Sequence, residues 1–499
     1  MPRQVATLSL AGVALQRAAP TPLHRQLYEA LRAAILSGRL VGGARLPSTR
    51  TLAAELDVAR LTVLNAFEQL LAEGYLETRP GAGTYVARVL PDTLLQAGRD
   101  VSQPPDGQAT TARLSRRGAV LASTPAGVLV RAGVPRPFRL GTPALDAFPT
   151  ALWGRLLVRH WQRGNPGLLG YAEPSGYRPL QEAIAGYLGV ARAVRCRADQ
   201  VLVVGGAQQA LDLVARVLLD PGDAVWMEDP GYPGARGTLL GAGATLVPVP
   251  VDEEGLDVRA GRRLRPDARL AYVTPSHQFP LGVTMSLARR LALLDWAQQA
   301  GAWVLEDDYD SEYRYVGRPL AALQGLDPQG RVVYVGTFSK VLFPALRLAC
   351  LVVPPDLIDA FTAARTLTLG QPPRLEQAVL ATFIAEGHLG RHLRRMRTLY
   401  AERQAALLSA AGRHLDELLD VRPTETGLHT VAWLPDGADE EQAVAAAARL
   451  GVETRPLASY RLASRGRAGL VLGFVAVPPA DLRLGVRRLA EALRQCGPT

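Results

Sequence analysis

The run Val332-Val-Tyr-Val-Gly-Thr-Phe-Ser-Lys340 decides the fold of this chain. Its apolar first half predicts a buried strand, and its polar second half predicts a loop that carries Lys340. Lys340 is the single lysine among 499 residues, in which Lys and Arg together number 56. A bias toward arginine accounts for the other cations but not for this amine. Because only an amine loses its proton near neutral pH and attacks a carbonyl, we predict a nucleophilic role for Lys340.

Two further runs place ligand-binding residue types at predicted strand ends. Val201-Leu-Val-Val204 precedes Gly205-Gly-Ala-Gln-Gln209 and a helix, and backbone N–H groups at such a helix start can hold a phosphate. Any tight strand-to-helix turn also favours glycine, so this run is ambiguous by itself. Residues 225–232 end a strand in Tyr232, which is either a core side chain or a ring that stacks on a planar cofactor.

The run Trp303-Val-Leu-Glu-Asp-Asp-Tyr-Asp310 is an apolar strand that ends in acids. A carboxylate at the carboxyl end of a parallel strand points into the crevice where ligands bind. Metal binding is the alternative, but no histidine is near in sequence, and we predict no metal site. The four acids are Glu306, Asp307, Asp308 and Asp310. From about residue 137, short apolar runs alternate with amphipathic helices, which predicts a mostly parallel sheet covered on both faces.

The N-terminal region, residues 20–88, predicts helices followed by a hairpin. Apolar spacing indicates three helices, the second capped by Ser48 and the third spanning about 60–72. Two strands, 75–78 and 84–87, flank a basic, Gly-rich tip. This order is that of a winged helix-turn-helix. A plain helical adaptor is the alternative, and the hairpin disfavours it because its tip suits a phosphate backbone.

Composition and sequence pattern indicate where the domains begin and end and which classes of protein are excluded. We predict a DNA-binding domain over 1–88, a linker over 89–136 and an effector domain over 137–499, because the middle stretch lacks periodicity. The mix of 48% hydrophobic and 20% charged residues is globular. Three scattered cysteines, no long apolar run and no convincing signal peptide predict a cytoplasmic protein without a membrane segment. A net charge of +10 permits a nucleic-acid partner.

Four motifs of the N-terminal region together resemble the GntR family of bacterial transcription regulators. They are Leu46-Pro-Ser-Thr-Arg50, Val58-Ala-Arg60-Leu-Thr62-Val63, Leu70-Leu-Ala-Glu-Gly-Tyr-Leu76 and Gly81-Ala-Gly-Thr-Tyr-Val86. The resemblance implies binding of double-stranded DNA through Arg50, Arg60 and Thr62, with the wing glycines Gly81 and Gly83 near the minor groove or the phosphates. Ala59 replaces the usual capping Ser or Thr, and Leu61 replaces a polar residue, so the operator sequence does not follow.

Residues 140–499 resemble the fold-type I enzymes that depend on pyridoxal 5′-phosphate (PLP), the aminotransferase family. The resemblance implies that Lys340 forms a Schiff base with the cofactor aldehyde, which a substrate amine then displaces. It implies that Asp307 pairs with the pyridine nitrogen, that Tyr309 donates to the ring phenolate oxygen and that Tyr232 stacks on the ring. The residues it assigns to the phosphate are Arg347, Thr337, Ser339, Gly206, Ala207 and Gln208. Tyr171 matches a tyrosine that reaches the partner subunit's phosphate, which implies a homodimer.

Two departures from that family bear on activity. The Asn that usually contacts the ring is replaced in residues 274–282, so His277 or Gln278 is expected to take its place. The last core strand, residues 469–474, lacks the arginine that grips a substrate carboxylate. The flanking arginines Arg461, Arg465 and Arg467 are candidate substitutes. Without one of them, transamination is expected to be weak or absent.

Joined in one chain, these regions resemble the MocR subfamily of GntR-type regulators. The expected fold is α/β: a winged helix-turn-helix, then a fold-type I aminotransferase-like domain with a mostly parallel sheet and a smaller C-terminal α/β subdomain. The expected function is a PLP-binding, DNA-binding regulator that senses PLP or an amine such as γ-aminobutyrate or taurine through a Lys340 aldimine. The resemblance also suggests a domain-swapped homodimer. The alternatives are an active aminotransferase with an accessory DNA-binding domain, and a structural adaptor.

Overall fold

A computed structural model describes residues 15–90, 114–124, 133–162, 166–171, 173–317, 320–370, 373–463 and 465–496. The chain divides into two compact units, residues 1–112 and 113–499. Most of the predicted linker lies outside the described residues, so the boundaries at 88 and 136 stay predictions. No described helix has the length and continuous apolar character that crossing a bilayer requires.

The first unit has the predicted helix–helix–helix–hairpin order. Its elements are α1 (Leu23–Leu36), α2 (Thr49–Glu55), α3 (Arg60–Ala72), β1 (Leu76–Arg79) and β2 (Gly83–Val86). Strands β1 and β2 are antiparallel, and Leu76 pairs with Val86. Leu27, Val63 and Leu70 are fully buried between the helices. The Ser48 Oγ accepts a hydrogen bond from the Thr51 backbone N–H at 3.1 Å and caps α2 as predicted.

The second unit contains a large sheet, a small sheet and the helices that cover them. Its strands are β3 (Val201–Val204), β4 (Ala224–Asp229), β5 (Thr245–Asp252), β6 (Gly255–Leu256), β7 (Leu270–Val273), β8 (Trp303–Asp308), β9 (Val332–Thr337), β10 (Ala349–Val352), β11 (Asp420–Val421), β12 (His429–Trp433), β13 (Arg455–Pro456) and β14 (Gly469–Gly473). Its helices are α4 (Arg116–Ser123), α5 (Thr150–Gln162), α6 (Arg178–Arg192), α7 (Ala207–Leu218), α8 (Pro233–Gly241), α9 (Val258–Leu264), α10 (Leu287–Ala300), α11 (Leu323–Leu326), α12 (Ile358–Leu369), α13 (Arg374–Ala385), α14 (His388–His414), α15 (Glu440–Arg449) and α16 (Pro479–Gln495).

The large sheet has the strand order β3-β10-β9-β8-β7-β4-β5-β6. Strands β9, β8, β7, β4 and β5 are parallel, whereas β10 is antiparallel to both of its neighbours and β6 is antiparallel to β5. Side chains of its central strands are buried on both faces, as a parallel sheet between helices requires. The carboxyl ends of β4, β7, β8 and β9 therefore meet at one edge of the sheet.

The smaller C-terminal subdomain carries the antiparallel sheet β11-β12-β14-β13. Strand β14 pairs with β12 from Gly469 to Gly473 and is buried along its length. Helices α15 and α16 contribute Ala447, Leu482 and Leu489 to the adjoining core.

Helix α4 lies within the stretch that the sequence suggested was irregular. The Ser115 Oγ caps it by accepting from the Gly118 N–H at 3.0 Å. It packs on α8, where a Cβ on Gly241 would lie 2.6 Å from Leu121. A single eight-residue helix is too short to show a periodic pattern, and its partner surface lies more than a hundred residues away in sequence. Residues 91–113 and 125–132 of the predicted linker lie outside the described residues.

Candidate functional site

Lys340 lies just beyond β9 and is partly buried. Its Nζ donates a hydrogen bond to the Gly141 carbonyl oxygen at 2.7 Å. Gly141 has φ +67°, and a Cβ there would lie 2.6 Å from Nζ, so a glycine is required at this close approach. Burial lowers the pKa of Lys340, and Asp310 and then Asp307 oppose that shift. The lowered pKa favours the neutral, nucleophilic amine.

Asp307, the second-last residue of β8, has one carboxylate oxygen with a hydrogen-bond partner and one without. Its Oδ2 accepts a hydrogen bond from the Tyr272 hydroxyl at 2.8 Å. Its Oδ1 is buried and has no hydrogen-bond partner among the described residues. Burial raises the pKa of Asp307 to about 7. An unpartnered buried carboxylate oxygen fits a protonated ring nitrogen, which would supply the missing donor.

Tyr309 and Asp310 both contact His277. The Tyr309 hydroxyl lies 2.9 Å from His277 Nδ1, and the Asp310 carboxylate oxygens lie 3.0 and 3.1 Å from the same nitrogen. Burial raises the pKa of Tyr309 well above its usual range, so this tyrosine keeps its proton. Tyr309, Asp310 and His277 thus form one buried polar group.

Aromatic rings surround this group. Phe279, from the loop that replaces the family's Asn, lies edge-on to Tyr232 at 5.7 Å and to Tyr309 at 6.0 Å between ring centroids. It also contacts the rings of His429 at 5.3 Å and Tyr460 at 5.2 Å. The small sheet thereby contributes rings to a site whose polar groups come from the large sheet.

The Arg347 guanidinium lies next to the start of α7. Gly206 has φ +117°, and a Cβ there would lie 3.4 Å from the Arg347 guanidinium carbon. Helix α7 begins at Ala207, within the turn 205–209 that the sequence predicted before the helix, so the N–H groups of its first turn follow Gly206 directly. In the loop before Lys340, the Thr337 Oγ1 accepts from the Ser339 N–H at 3.2 Å. A guanidinium beside a helix N-terminus suits a phosphate.

Three predicted residues have side chains that are engaged or directed elsewhere. The Gln208 amide donates to the Gly234 carbonyl at 2.8 Å. The Gln278 amide donates to Glu228 at 3.1 Å and to the Pro230 carbonyl at 2.9 Å. Tyr171 is fully exposed in this single chain. Their roles toward a cofactor remain predictions.

The acids of β8 have separate partners. Glu306 accepts from the Leu323 N–H at 2.8 Å, and Asp308 pairs with Arg192 at 2.8 Å. The four acids of the run therefore do not converge on one ion.

Among the described residues, His277, Asp310 and His429 bring one ligand atom each within 4.8 Å of one another. His277 Nδ1 already pairs with Asp310, and His429 Nε2 lies 3.1 Å from the Pro280 carbonyl oxygen. The absence of a metal site remains a prediction.

Two of the three candidate carboxylate-binding arginines, Arg461 and Arg467, bond to backbone carbonyls of the C-terminal subdomain. The Arg461 guanidinium donates to the Arg467 carbonyl at 2.6 Å. Arg467 donates to the Leu434 carbonyl at 3.1 Å and stacks over Trp433. Arg465 is exposed.

The predicted DNA contacts lie on one short stretch of the first unit. Arg50 and Arg60 are exposed, and Thr62 is half-buried on the first turn of α3. The Arg60 Nε lies 3.4 Å from the Thr49 Oγ1. Ala59 stands at the N-cap of α3 without a side-chain hydrogen bond, and Leu61 is 63% exposed.

The wing carries Gly81 and Gly83, both exposed and both with positive φ. A Cβ on Gly83 would lie 3.2 Å from the Arg45 guanidinium. Arg45, which the sequence reading did not single out, therefore adds a cation to the wing. The sequence feature that could have indicated Arg45 is its position directly before Leu46, at the start of the first motif of the predicted DNA-binding domain.

Sequence reasoning also missed Gly141, Tyr272 and Phe279. Tyr272 could have been predicted from the sequence, because β7 ends beside β8 at the same sheet edge. Gly141 lies 199 positions from Lys340 and carries no side chain, so nothing in the sequence points to that contact.

Two family descriptions match the chain. Aminotransferase class I and II matches residues 156–472, and bacterial regulatory proteins of the gntR family match residues 23–86. The probable rhizopine catabolism regulatory protein MocR of Rhizobium meliloti is 45% identical over 478 residues, which cover 96% of this chain and 95% of that protein. The HTH-type pyridoxine biosynthesis transcriptional regulator PdxR of Corynebacterium glutamicum is 32% identical over 483 residues, covering 96% and 98%.

A solved structure shares the fold of the large unit. LysN, the α-aminoadipate aminotransferase of Thermus thermophilus complexed with N-(5′-phosphopyridoxyl)-L-leucine, aligns with a TM-score of 0.67 at 30% identity. The alignment covers 72% of this chain and 92% of LysN. A gntR-type unit, an aminotransferase fold and full-length relatives that are transcription regulators lead to one conclusion. The chain belongs to the MocR subfamily of GntR-type bacterial transcription regulators.

Proposed function

We propose that the large unit binds PLP at Lys340 and that occupancy of this site regulates DNA binding by the first unit. The observation that carries the proposal is the free, buried Oδ1 of Asp307 at the same sheet edge as Lys340. A buried polar atom without a partner is costly, and a protonated pyridine nitrogen would satisfy it. The aminotransferase fold and the phosphopyridoxyl compound in LysN support the same cofactor.

In this proposal, different residues hold different parts of PLP. Bound PLP supplies an aldehyde that reacts reversibly with amines. Lys340, with its lowered pKa, presents the amine. Asp307 keeps a proton on the ring nitrogen, and Tyr309 presents its hydroxyl proton to the ring oxygen. Arg347 and the N–H groups after Gly206 neutralise the phosphate.

A homodimer is part of the proposal. Tyr171 is fully exposed, and Leu169 nearby is 74% exposed, as expected for side chains that a second copy covers. The resemblance suggests that each linker carries its DNA-binding unit to the partner. Sedimentation of the full chain should give a dimer, and Tyr171→Ala should lower PLP affinity.

The direct test of the proposal is the substitution Lys340→Ala. The purified wild-type protein should be yellow with PLP, and the variant should lose that absorbance because no other lysine exists to replace Lys340. An unchanged spectrum in the variant would contradict the assignment. Offering amino acids with keto acids tests the alternative, since vigorous turnover without DNA binding would favour an active aminotransferase.

A further inference from the structure

Helix α4 contacts the second unit through two glycines of α8. A Cβ on Gly237 would lie 2.6 Å from the Thr124 Cγ2, and a Cβ on Gly241 would lie 2.6 Å from the Leu121 Cδ2. Both glycines are buried. Any larger side chain at either position would clash with α4, so the two helices approach this closely only because both residues are glycine.

The same face of α8 contacts the proposed cofactor site at its other end. Gly234, Gly237 and Gly241 are spaced by three and four residues, which places them on one face of a helix. We call these three residues the glycine face. A Cβ on Gly234 would lie 2.5 Å from the Tyr232 Cζ, so the ring that is proposed to stack on PLP lies directly on the first turn of α8. The glycine face therefore contacts Tyr232 at one end and α4 at the other.

Side-chain hydrogen bonds join this turn of α8 to the start of α7. The Gln208 amide donates to the Gly234 carbonyl oxygen at 2.8 Å and to the Thr238 Oγ1. The Thr238 hydroxyl donates to the same carbonyl oxygen at 2.9 Å. Gln208 is the second residue of α7, whose first N–H groups follow Gly206 in the proposed phosphate site. A ligand that fixes the start of α7 and the ring of Tyr232 therefore also fixes the first turn of α8.

The contact that holds α4 is small. None of the α4 residues is buried, and Leu121 is 51% exposed even though it contacts α8. A helix of eight residues is not stable by itself in water. Helix α4 therefore depends on α8 for its folded state, and the contact belongs to the parts of a protein that open most easily.

The position of α4 in the chain gives its docking a consequence for the first unit. Helix α4 lies at the N-terminal end of the second unit, and the next described segment begins at residue 133. While α4 is docked, residues 91–113 connect the described parts of the two units. Undocking would extend that connection to residues 91–132. The length of a connection sets the effective concentration of the domain at its end.

We propose that α4 links the PLP site to the DNA-binding unit. With PLP bound, Tyr232 and the start of α7 are held in place, the glycine face of α8 is stabilised and α4 stays docked. Without PLP, α4 undocks more easily. This inference rests on the proposed function, because PLP at Lys340 is the ligand that shifts the docking equilibrium, and it does so by binding the docked state more tightly.

Hydrogen exchange of the full-length protein tests this link. The amides of residues 119–124, which include the N–H groups of Ala119 and Thr124 bonded within α4, should exchange at least about fivefold more slowly with saturating PLP than without it. Cofactor absorbance without slower exchange in α4 overturns the inference alone. A wild-type protein without cofactor absorbance contradicts the proposed function and the inference with it, which keeps the two failures apart.

The substitution Gly241→Ala separates docking from cofactor binding. Its Cβ should displace Leu121, whereas α8 is not weakened, because alanine is a better helix former than glycine. The amides of α4 should then exchange fast with and without PLP, and PLP should change the affinity for the upstream DNA by less than about twofold, while the cofactor absorbance remains. Unchanged exchange in α4 overturns the inference, and so does a full effect of PLP on DNA binding once α4 has lost its protection.

Two further variants attribute the effect to the contact itself. Gly186→Ala on α6 is the matched control, because a Cβ there meets nothing within 4 Å, and it should behave as wild type. Leu121→Ala removes the atoms that the new Cβ would meet, so the double variant with Gly241→Ala should recover protection that Gly241→Ala alone has lost. No recovery would mean that the alanine acts within α8 and not on α4, which contradicts the proposed contact. Should Gly241→Ala not fold, Leu121→Ala alone tests the same contact from the half-exposed side and should speed exchange in α4.

Discussion

At the scale of single residues, one nitrogen of His277 faces three oxygens. Nδ1 carries at most one proton, so it cannot donate to Asp310 and accept from Tyr309 at once. A hydrogen bond from an imidazole N–H to a carboxylate oxygen is stronger than one between a hydroxyl and an imidazole nitrogen, so Nδ1 donates to Asp310. The Tyr309 hydroxyl then keeps its proton for another acceptor, which is the arrangement that the proposed contact with the cofactor ring needs.

Asp307 should make the stability of the PLP-free protein depend on pH. Its pKa is about 7 in the folded protein and about 4 in an unfolded chain. The folded state therefore holds the proton more tightly, and the stability gained is full below about pH 4 and is lost as pH rises toward 7. The slope is at most about 1.4 kcal/mol per pH unit for one proton.

Comparing wild type with Asp307→Asn isolates this effect. Urea unfolding of both PLP-free proteins between pH 5 and 7.5 should show a smaller loss of stability in the variant, which cannot ionise. Burial also raises the pKa of Glu228, Glu306 and Glu312 to about 7, but these acids are present in both proteins and cancel in the difference. Equal slopes would mean that Asp307 is ionised in the empty site.

At the scale of elements, α3 begins without a cap. Ala59 has the extended backbone of an N-cap residue, with φ −63° and ψ 140°, but offers no acceptor. Ala59→Ser should add a hydrogen bond to a free N–H and stabilise the first unit by about 1 kcal/mol. Ser48→Ala, at the capped start of α2, should destabilise it by a similar amount. Calorimetry of the full chain measures both, and a destabilising Ala59→Ser would show that the N-cap has no room for a hydroxyl.

The exposed start of α3 should determine DNA affinity. Arg60→Ala should weaken binding to the protein's own upstream DNA by about tenfold or more, as expected for loss of a base contact. PLP absorbance should not change, because Arg60 belongs to the other unit. Arg25→Ala on α1, an exposed arginine outside the predicted DNA contacts, is the control. Gel shifts at several salt concentrations separate the two, and intact affinity in Arg60→Ala would place the recognition surface elsewhere.

The elements that the sequence predicted are those with long periodic patterns or local caps. Helix α3 spans Arg60–Ala72 as expected, since its apolar spacing and Gly74 define both ends. Helix α4 was not predicted, because its packing partner on α8 lies far along the chain. The same reason applies to the site. Lys340 and Asp307 belong to local motifs, whereas the position of His429 in the site depends on how the two sheets pack against each other.

At the scale of the whole molecule, a net charge of +10 favours association with DNA. For PLP to regulate that association, PLP binding in one unit must be thermodynamically coupled to DNA binding in the other. A ligand shifts DNA binding only if it has different affinities for the two states of the protein. The predicted DNA contacts and Lys340 lie in separate compact units. Any regulation is therefore a coupling free energy between two sites, which has a strict thermodynamic consequence.

That consequence is reciprocity. If PLP or an effector amine changes the DNA affinity by some factor, bound DNA must change the affinity for that ligand by the same factor, typically about 5- to 150-fold. Fluorescence anisotropy with labelled upstream DNA, with and without the ligand, gives the first factor. Titration of the ligand with and without saturating DNA gives the second. Lys340→Ala should set both factors to one for a ligand that acts through this amine, while Arg60→Ala should weaken DNA binding without changing the ratio. Unequal factors in wild type would mean that a further equilibrium, such as dimer formation, is linked to one of the two measurements.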